Sequence, residues 1–402
     1  MVFFKKNWVN ISIFNLTIVV LLGVIMRYKI AFNFPFLEQK NILHSHSHFA
    51  FTGWISQTLF LLITYFIERN KKEVSSLKYH YFLLANLGCS YGMLVSFLLE
   101  GYSGISVFFS TLSILISFIY TYYFIKDTKK IPKGEVSIIW FKGALFFNIL
   151  SSLGTFFLAY MIANKAIVQD LYLSSIYFYL HFQYNGWFFF AIIGLFLEFI
   201  KVTSENKKLK IYFWILFVSC FITFFLSILW AKLPSWLYIT TVTFTLIQTF
   251  YWFKFQSYLL NQFRDKVLLY KNLIIVIAIA TNLKFLMQLG LIFPELNTIV
   301  FGTRIIVIAY LHLVLLGIIT LFLLFYLINI KKIFPSKFLK IGYLTFVIGI
   351  IINEAVLFCQ GAFSFLYILF PFVNELLFTI GIIMLIGILI ILYAVVFKNE
   401  KK

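Results

Sequence analysis

Apolar side chains recur along this chain in long runs, broken by short polar stretches. Twelve such runs stand near 8–30, 47–67, 79–99, 104–125, 138–163, 173–199, 209–230, 235–256, 269–290, 299–328, 338–360 and 371–397. Each is rich in Leu, Ile and Phe and too long for a buried strand. A span of the bilayer takes about 20 apolar residues, and backbone groups in lipid must pair within their own segment. Each run therefore predicts a membrane-crossing helix. Alternating strand patterns with tight turns, the mark of an outer-membrane barrel, are absent. No small-residue cleavage site follows the first run, so it is expected to be a retained helix rather than a signal peptide.

Composition agrees. Of 402 residues, 62% are apolar and 12% charged, against about 45–50% and about 25% in soluble domains. A soluble enzyme and a disordered chain are both excluded. The three cysteines, Cys89, Cys220 and Cys359, sit inside apolar runs, so no disulfide framework is expected. No internal repeat, linker or low-complexity tract is evident, and residues 1–402 are expected to form a single transmembrane domain.

The net charge of +19 is a topology signal. Lys5 and Lys6, the Lys and Arg residues of alternate loops (Arg69 to Lys78, Lys126 to Lys133, Lys201 to Lys210, Lys254 to Lys271, Lys331 to Lys340) and Lys398, Lys401 and Lys402 place 25 bases on one side. Arg27, Lys29, Lys40, Lys165 and Lys232 place five on the other. Cytoplasmic loops carry the excess, so both ends are expected in the cytoplasm. Positive charge spread over many loops also excludes nucleic acid as a partner. The expected setting is a bacterial inner (plasma) membrane, crossed many times.

Polar residues that lipid should have excluded are functional candidates. They are His48, His181, His312, Lys142, Lys284, Arg304, Glu354 and Glu375. The topology puts His48 in the first turn of run two, His181 about two turns into run six and His312 three to four turns into run ten. All three fall in the outer half of the membrane, with Lys284, Arg304, Glu354 and Glu375. His80 starts a run at the opposite face, and His44 and His46 precede run two as interfacial residues. Imidazole is the commonest metal ligand, and two imidazoles across a porphyrin make a low-spin haem suited to electron transfer. His48 and His312 are the foremost candidates for metal or haem ligation, with His181 after them, and Arg304, eight residues before His312, is placed for haem propionates. Lys284 is a second candidate for that role. Hydrogen-bonded packing is the alternative for each histidine. Glu354 is expected to pair with Arg304 or Lys284.

Two segments, His44-Ser45-His46-Ser47-His48-Phe49-Ala50-Phe51-Thr52-Gly53-Trp54 and Tyr310-Leu311-His312-Leu313-Val314-Leu315-Leu316-Gly317, together with Tyr179-Leu180-His181-Phe182-Gln183-Tyr184-Asn185-Gly186-Trp187, resemble helices two, ten and six of subunit I of the haem–copper oxidases and nitric-oxide reductases. The resemblance implies a twelve-helix, all-α oxidase subunit I-like bundle with a low-spin haem on His48 and His312. It places His181 where that family binds copper, and Tyr310 where it has the ligand of the oxygen-reducing haem. Run seven lacks the family's His-His pair, so the usual oxygen-reducing copper site is not expected. Copper or another metal on His181 would need further ligands, for which Glu354 and Glu375 are candidates, because such sites take three or four. The function this implies is electron transfer, or binding of nitric oxide or another small gas, with a redox protein as partner. A twelve-helix secondary transporter and a haem-free assembly or scaffold protein are the alternatives. The six prolines lie in loops or at run ends, which disfavours the broken helices of a transporter.

Overall fold

The computed structural model describes residues 2–32, 34–70, 76–131, 135–202, 207–263, 268–330 and 337–397. Of the topology-setting bases, Lys71, Lys72, Lys133, Arg264, Lys266, Lys331, Lys332, Lys398, Lys401 and Lys402 lie outside the described residues, as do Pro132 and Pro335. Among the described residues there is no strand, and the apolar runs are helices. They are α1 (Val2–Ala31), α2 (Gln39–Asn70), α3 (Ser76–Glu100), α4 (Gly104–Thr128), α5 (Ser137–Ala163), α6 (Gln169–Ile200), α7 (Lys207–Ala231), α8 (Ser235–Gln262), α9 (Leu268–Gly290), α10 (304–330), α11 (Lys337–Phe365) and α12 (Val373–Val396). Eleven of the described helices are long and apolar enough to cross a membrane. The exception is α8, whose length suffices but whose Thr240, Thr241, Thr243, Thr245, Gln248, Thr249 and Gln256 dilute its apolar character. The chain is thus a multi-pass, all-helical membrane protein.

Two runs differ from expectation at their N-terminal ends. Helix α2 begins at Gln39, not near residue 47, so His44, His46 and His48 all lie within it and His48 is its tenth residue. The polar stretch before residue 47 is helical because its buried residues, Ile42, Ser45 and Phe49, recur at helical spacing. The run 299–328 is two helices. Pro294–Gly302 ends in a glycine, Thr303 is extended (φ −108°, ψ 98°), and α10 starts afresh at Arg304. Arg304 is therefore an exposed helix-start residue rather than a side chain held inside the span.

The chain divides into two compact units. The first comprises residues 1–68, 72–120 and 320–402, hence α1, most of α2, α3, most of α4, the end of α10, α11 and α12. In it α11 runs along α12, α1 packs on α12, and α2 packs on α3. The α11–α12 seam is tight because it is lined by glycines. A Cβ on Gly387 would stand 2.7 Å from the Phe346 amide nitrogen, and one on Gly342 2.9 Å from the Gly387 carbonyl oxygen. Small residues allow such approach where no hydrophobic effect drives helices together.

The second unit comprises residues 69–71 and 121–319. There α5 packs on α6 and α7 on α8. The last part of α7, Thr223–Ala231, narrows to a 3₁₀ helix with a kink at Ile228. Asn297 steadies it by donating to the Leu226 carbonyl at 2.7 Å. At the other end of α6 the buried Glu198 forms an ion pair with Arg69.

Candidate functional site

Among the described residues, three helices are interrupted by a wide π-helical turn. In α2 it covers Ala50–Ser56, in α6 Phe182–Phe188 and in α10 Leu313–Thr320. Well under 1% of residues adopt this form, and it concentrates at functional sites. A histidine stands at the mouth of each. His181 and His312 immediately precede their turns, and His48 is two residues before its own. His48, His181 and His312 are the tenth, thirteenth and ninth residues of their helices. The interrupted helices are the second, sixth and tenth, so the arrangement returns every fourth helix.

The sequence carries a matching repeat that the run-by-run reading passes over. His48-Phe49-Ala50-Phe51-Thr52-Gly53-Trp54 and His181-Phe182-Gln183-Tyr184-Asn185-Gly186-Trp187 share His-Phe-x-aromatic-x-Gly-Trp, and His312-Leu313-Val314-Leu315-Leu316-Gly317-Ile318 keeps the His and Gly with apolar residues between. The His-to-Gly spacing of five equals the i→i+5 step of the π-helix.

A π-turn misaligns carbonyls with their usual amides, and the first unit meets that need with side chains. Asn15 donates to the Gly53 carbonyl at 2.6 Å and Asn86 to the Thr52 carbonyl at 3.3 Å. Asn86 also donates to Gln57 Oε1 at 2.7 Å and accepts from Ser113 Oγ at 3.2 Å. Tyr91 donates to Asn15 Oδ1 at 2.9 Å, and Trp54 Nε1 to Thr320 Oγ1 at 3.0 Å. The His48 ring stacks on Phe97, centroids 4.2 Å apart, with Nε2 3.2 Å from the Tyr102 hydroxyl. His44 packs edge-on to the same tyrosine, and Nδ1 of His46 lies 3.1 Å from the Val19 carbonyl oxygen. His80 accepts a bond from Trp8 Nε1 at 3.3 Å.

In the second unit His181 is 1% exposed and both its ring nitrogens are engaged. Nε2–H donates to the Cys220 carbonyl at 2.9 Å, and Nδ1 accepts from Asn185 Nδ2 at 3.1 Å. The Cys220 carbonyl is available because the α-helical part of α7 gives way to the 3₁₀ segment from Thr223. Gln183 ties the same turn to α5 through Asn148 and Ser151. Tyr310 does not reach His181; its ring packs on Tyr184. No group of three metal-ligating His, Cys, Asp or Glu side chains occurs among the described residues.

His312 donates its Nδ1–H to the Ile308 carbonyl at 2.8 Å. None of the nine residues Arg304–His312 is buried, whereas the helix beyond His312 is buried almost throughout. From Ile305 to His312 every residue is half-buried. No protein family matches the chain, and no characterised protein is found to be related to it.

Glu354 accepts from Asn353 at 3.0 Å. Lys284, 1% exposed, donates to Gln288 Oε1 at 2.9 Å and rests its ammonium on the rings of Phe285 (4.0 Å) and Phe189 (5.2 Å). One amide acceptor and two π-faces satisfy a cation without a carboxylate. Lys142 is exposed on α5, and Glu375 opens α12.

Proposed function

We propose that this is a membrane-embedded haem protein on the plan of haem–copper oxidase subunit I, with iron ligands drawn from His48 and His312. Its role is electron transfer or the binding of a small gas such as nitric oxide, with a redox protein as partner. Both ends lie in the cytoplasm of a bacterial cell whose inner membrane it crosses, a reading carried by the 25-to-5 division of bases. The observation that carries the functional reading is the histidine at the mouth of a π-turn, repeated on α2, α6 and α10.

The residues present suit the group. A ligating imidazole usually donates its other N–H to a carbonyl or carboxylate, which fixes its orientation, and His312 does so through Ile308. The half-buried Ile305–His312 stretch, rich in Ile, Val and Leu, is suited to an apolar planar group. His48 presents Nε2 to a phenol hydroxyl, a partner exchangeable for a metal. Haem bound here would supply one-electron chemistry or an open iron position. The protein's part is to orient two imidazoles and exclude water. Arg304, about 12 Å up the helix from His312, is the propionate partner. His181 has both nitrogens committed to protein groups, so copper forms no part of the proposal.

The test is an optical spectrum of the purified protein, oxidised and dithionite-reduced, with a pyridine haemochrome assay. One b-type haem per chain is expected. His48→Ala and His312→Ala each lose it or turn it high-spin, while His80→Ala and His181→Ala keep it. Equal haem content in all four variants, or a protein that stays colourless when made with ample haem, refutes the assignment.

A further inference from the structure

Helix α11 has one sealed face and one open one. The sealed face meets α12 along the glycine seam. The open face is an apolar stripe at helical spacing, Ile341, Leu344, Ile348, Ile351, Phe358 and Phe365, each at least 45% exposed. In a chain that crosses a membrane such a stripe faces lipid. The stripe does not stop where the helix does. The loop that follows leaves Tyr367 98%, Leu369 86% and Phe372 78% exposed. Between Glu354 and Glu375 twenty successive residues carry no charge. The other loops after odd-numbered helices each hold a charge within the loop or on the residue beside it: Glu38, Glu100, Lys165, Lys232 and Glu295. The backbone fixes the loop's rings outward. Ile368 N–H donates to the Phe363 carbonyl at 2.8 Å and Tyr367 N–H to the Ser364 carbonyl at 3.3 Å. This helix-ending pattern puts Tyr367 in the left-handed region (φ 56°), where glycine is usual. Phe372 enters α12 from the same region (φ 55°). Both positions carry a large ring where the backbone favours no side chain, and Phe363 packs on Phe370 at the base of the loop, centroids 5.3 Å apart.

Depth decides what covers the loop. Lys340 and Phe365 lie 25 residues apart on α11. That is about 38 Å at 1.5 Å per residue, and about 36 Å along the membrane normal at the usual tilt of about 20°. The hydrocarbon of a bilayer is about 30 Å thick, and about 40–45 Å with its headgroups. With the exposed Lys340 among the headgroups of one leaflet, the loop falls at the boundary between headgroups and acyl chains of the other. Tyrosine and other aromatic rings favour that layer. A protein-binding patch has a polar rim, whereas this one runs without a charge into the lipid-facing stripe of α11. We propose that the α11–α12 loop is an interfacial anchor, seating Tyr367, Leu369 and Phe372 among the lipid carbonyls and upper acyl chains of the leaflet opposite Lys340.

The test uses the full chain in phosphatidylcholine liposomes and a nitroxide label. The exposed Cys359 is labelled as it stands, as a reference within the lipid-facing stripe, while Cys89 and Cys220 are buried. With Cys359→Ser as background, the label goes on Leu369→Cys, on Phe372→Cys or, as a water-facing reference, on the exposed Glu38→Cys. Power-saturation electron paramagnetic resonance reads collisions with oxygen, which concentrates in lipid, and with a neutral nickel chelate, which stays in water. At both loop positions the label is expected to collide more with oxygen and less with the chelate than at Glu38→Cys, and to sit shallower than at Cys359. Unaltered helical circular dichroism checks the fold of each variant, and either loop position decides the matter alone. Chelate access equal to that at Glu38→Cys overturns the proposal and leaves the patch to a partner protein. So does a depth equal to that of Cys359, which would put the loop inside the hydrocarbon. Dipolar broadening at Leu369→Cys that disappears on dilution with unlabelled chain overturns it too, since the occupant would then be a second copy.

Discussion

The glycine five residues after each histidine offers a sharp check on the π-turn packing. A Cβ added to Gly186 would stand 2.5 Å from Cβ and 2.6 Å from Cγ of Phe147, a fully buried residue of α5. Those atoms lie at the root of the side chain, so no ring rotation moves them away, and α5 itself must shift. Overpacking of this kind costs about 1–3 kcal/mol. At Gly317 the nearest atoms would be 3.7 and 3.9 Å away, ordinary contact. There an alanine trades only helix preference, which favours it over glycine by about 0.5–1 kcal/mol. Gly186→Ala is therefore expected to destabilise and Gly317→Ala to be neutral or mildly stabilising. The gap of about 2 kcal/mol is measurable by equilibrium unfolding in mixed micelles, followed by tryptophan fluorescence. Two variants agreeing within about 0.5 kcal/mol would refute the inference that the α6 glycine is fixed by close approach to α5.

Asn86→Leu strands the Thr52 carbonyl and Gln57 Oε1 in the interior. A loss of about 2–4 kcal/mol is expected, larger than that of Ser113→Ala, and hydrogen exchange of residues 50–56 should speed up; an unchanged exchange pattern would mean that Asn86 does not hold the turn. His181→Ala and Asn185→Leu break one network, so each costs about 1–3 kcal/mol and the double variant costs less than their sum. Strict additivity in the unfolding measurement would argue against the shared bond.

Much of the fold is legible because lipid imposes a simple rule. Runs such as 104–125, 138–163 and 209–230 foreshadow Gly104–Thr128, Ser137–Ala163 and Lys207–Ala231 closely. The rule fails where polarity and helicity part company. The start of α2 is a helix too polar to count as a run, and Gly302-Thr303 breaks a run that hydropathy reads as continuous. The histidines were visible as residues out of place in lipid. Their π-turns were not, because an extra residue in a helical turn leaves apolarity unchanged. The His-to-Gly spacing of five was the available signal, legible only when the three segments are set side by side. Partners were the least legible. A carboxylate was the natural expectation for Lys284, yet an amide and two rings serve, since satisfying a buried cation requires electron-rich atoms rather than a formal opposite charge.

Helix α10 changes character at His312. Beyond it almost every residue is buried, and before it none is. Mechanically it is a cantilever, with a clamped C-terminal stem and a less enclosed N-terminal arm. Thermal fluctuation in such a beam is greatest at the tip and least at the clamp. The imidazole of His312 sits at the root, where displacement is smallest, while Tyr310 and Arg304 ride progressively further out.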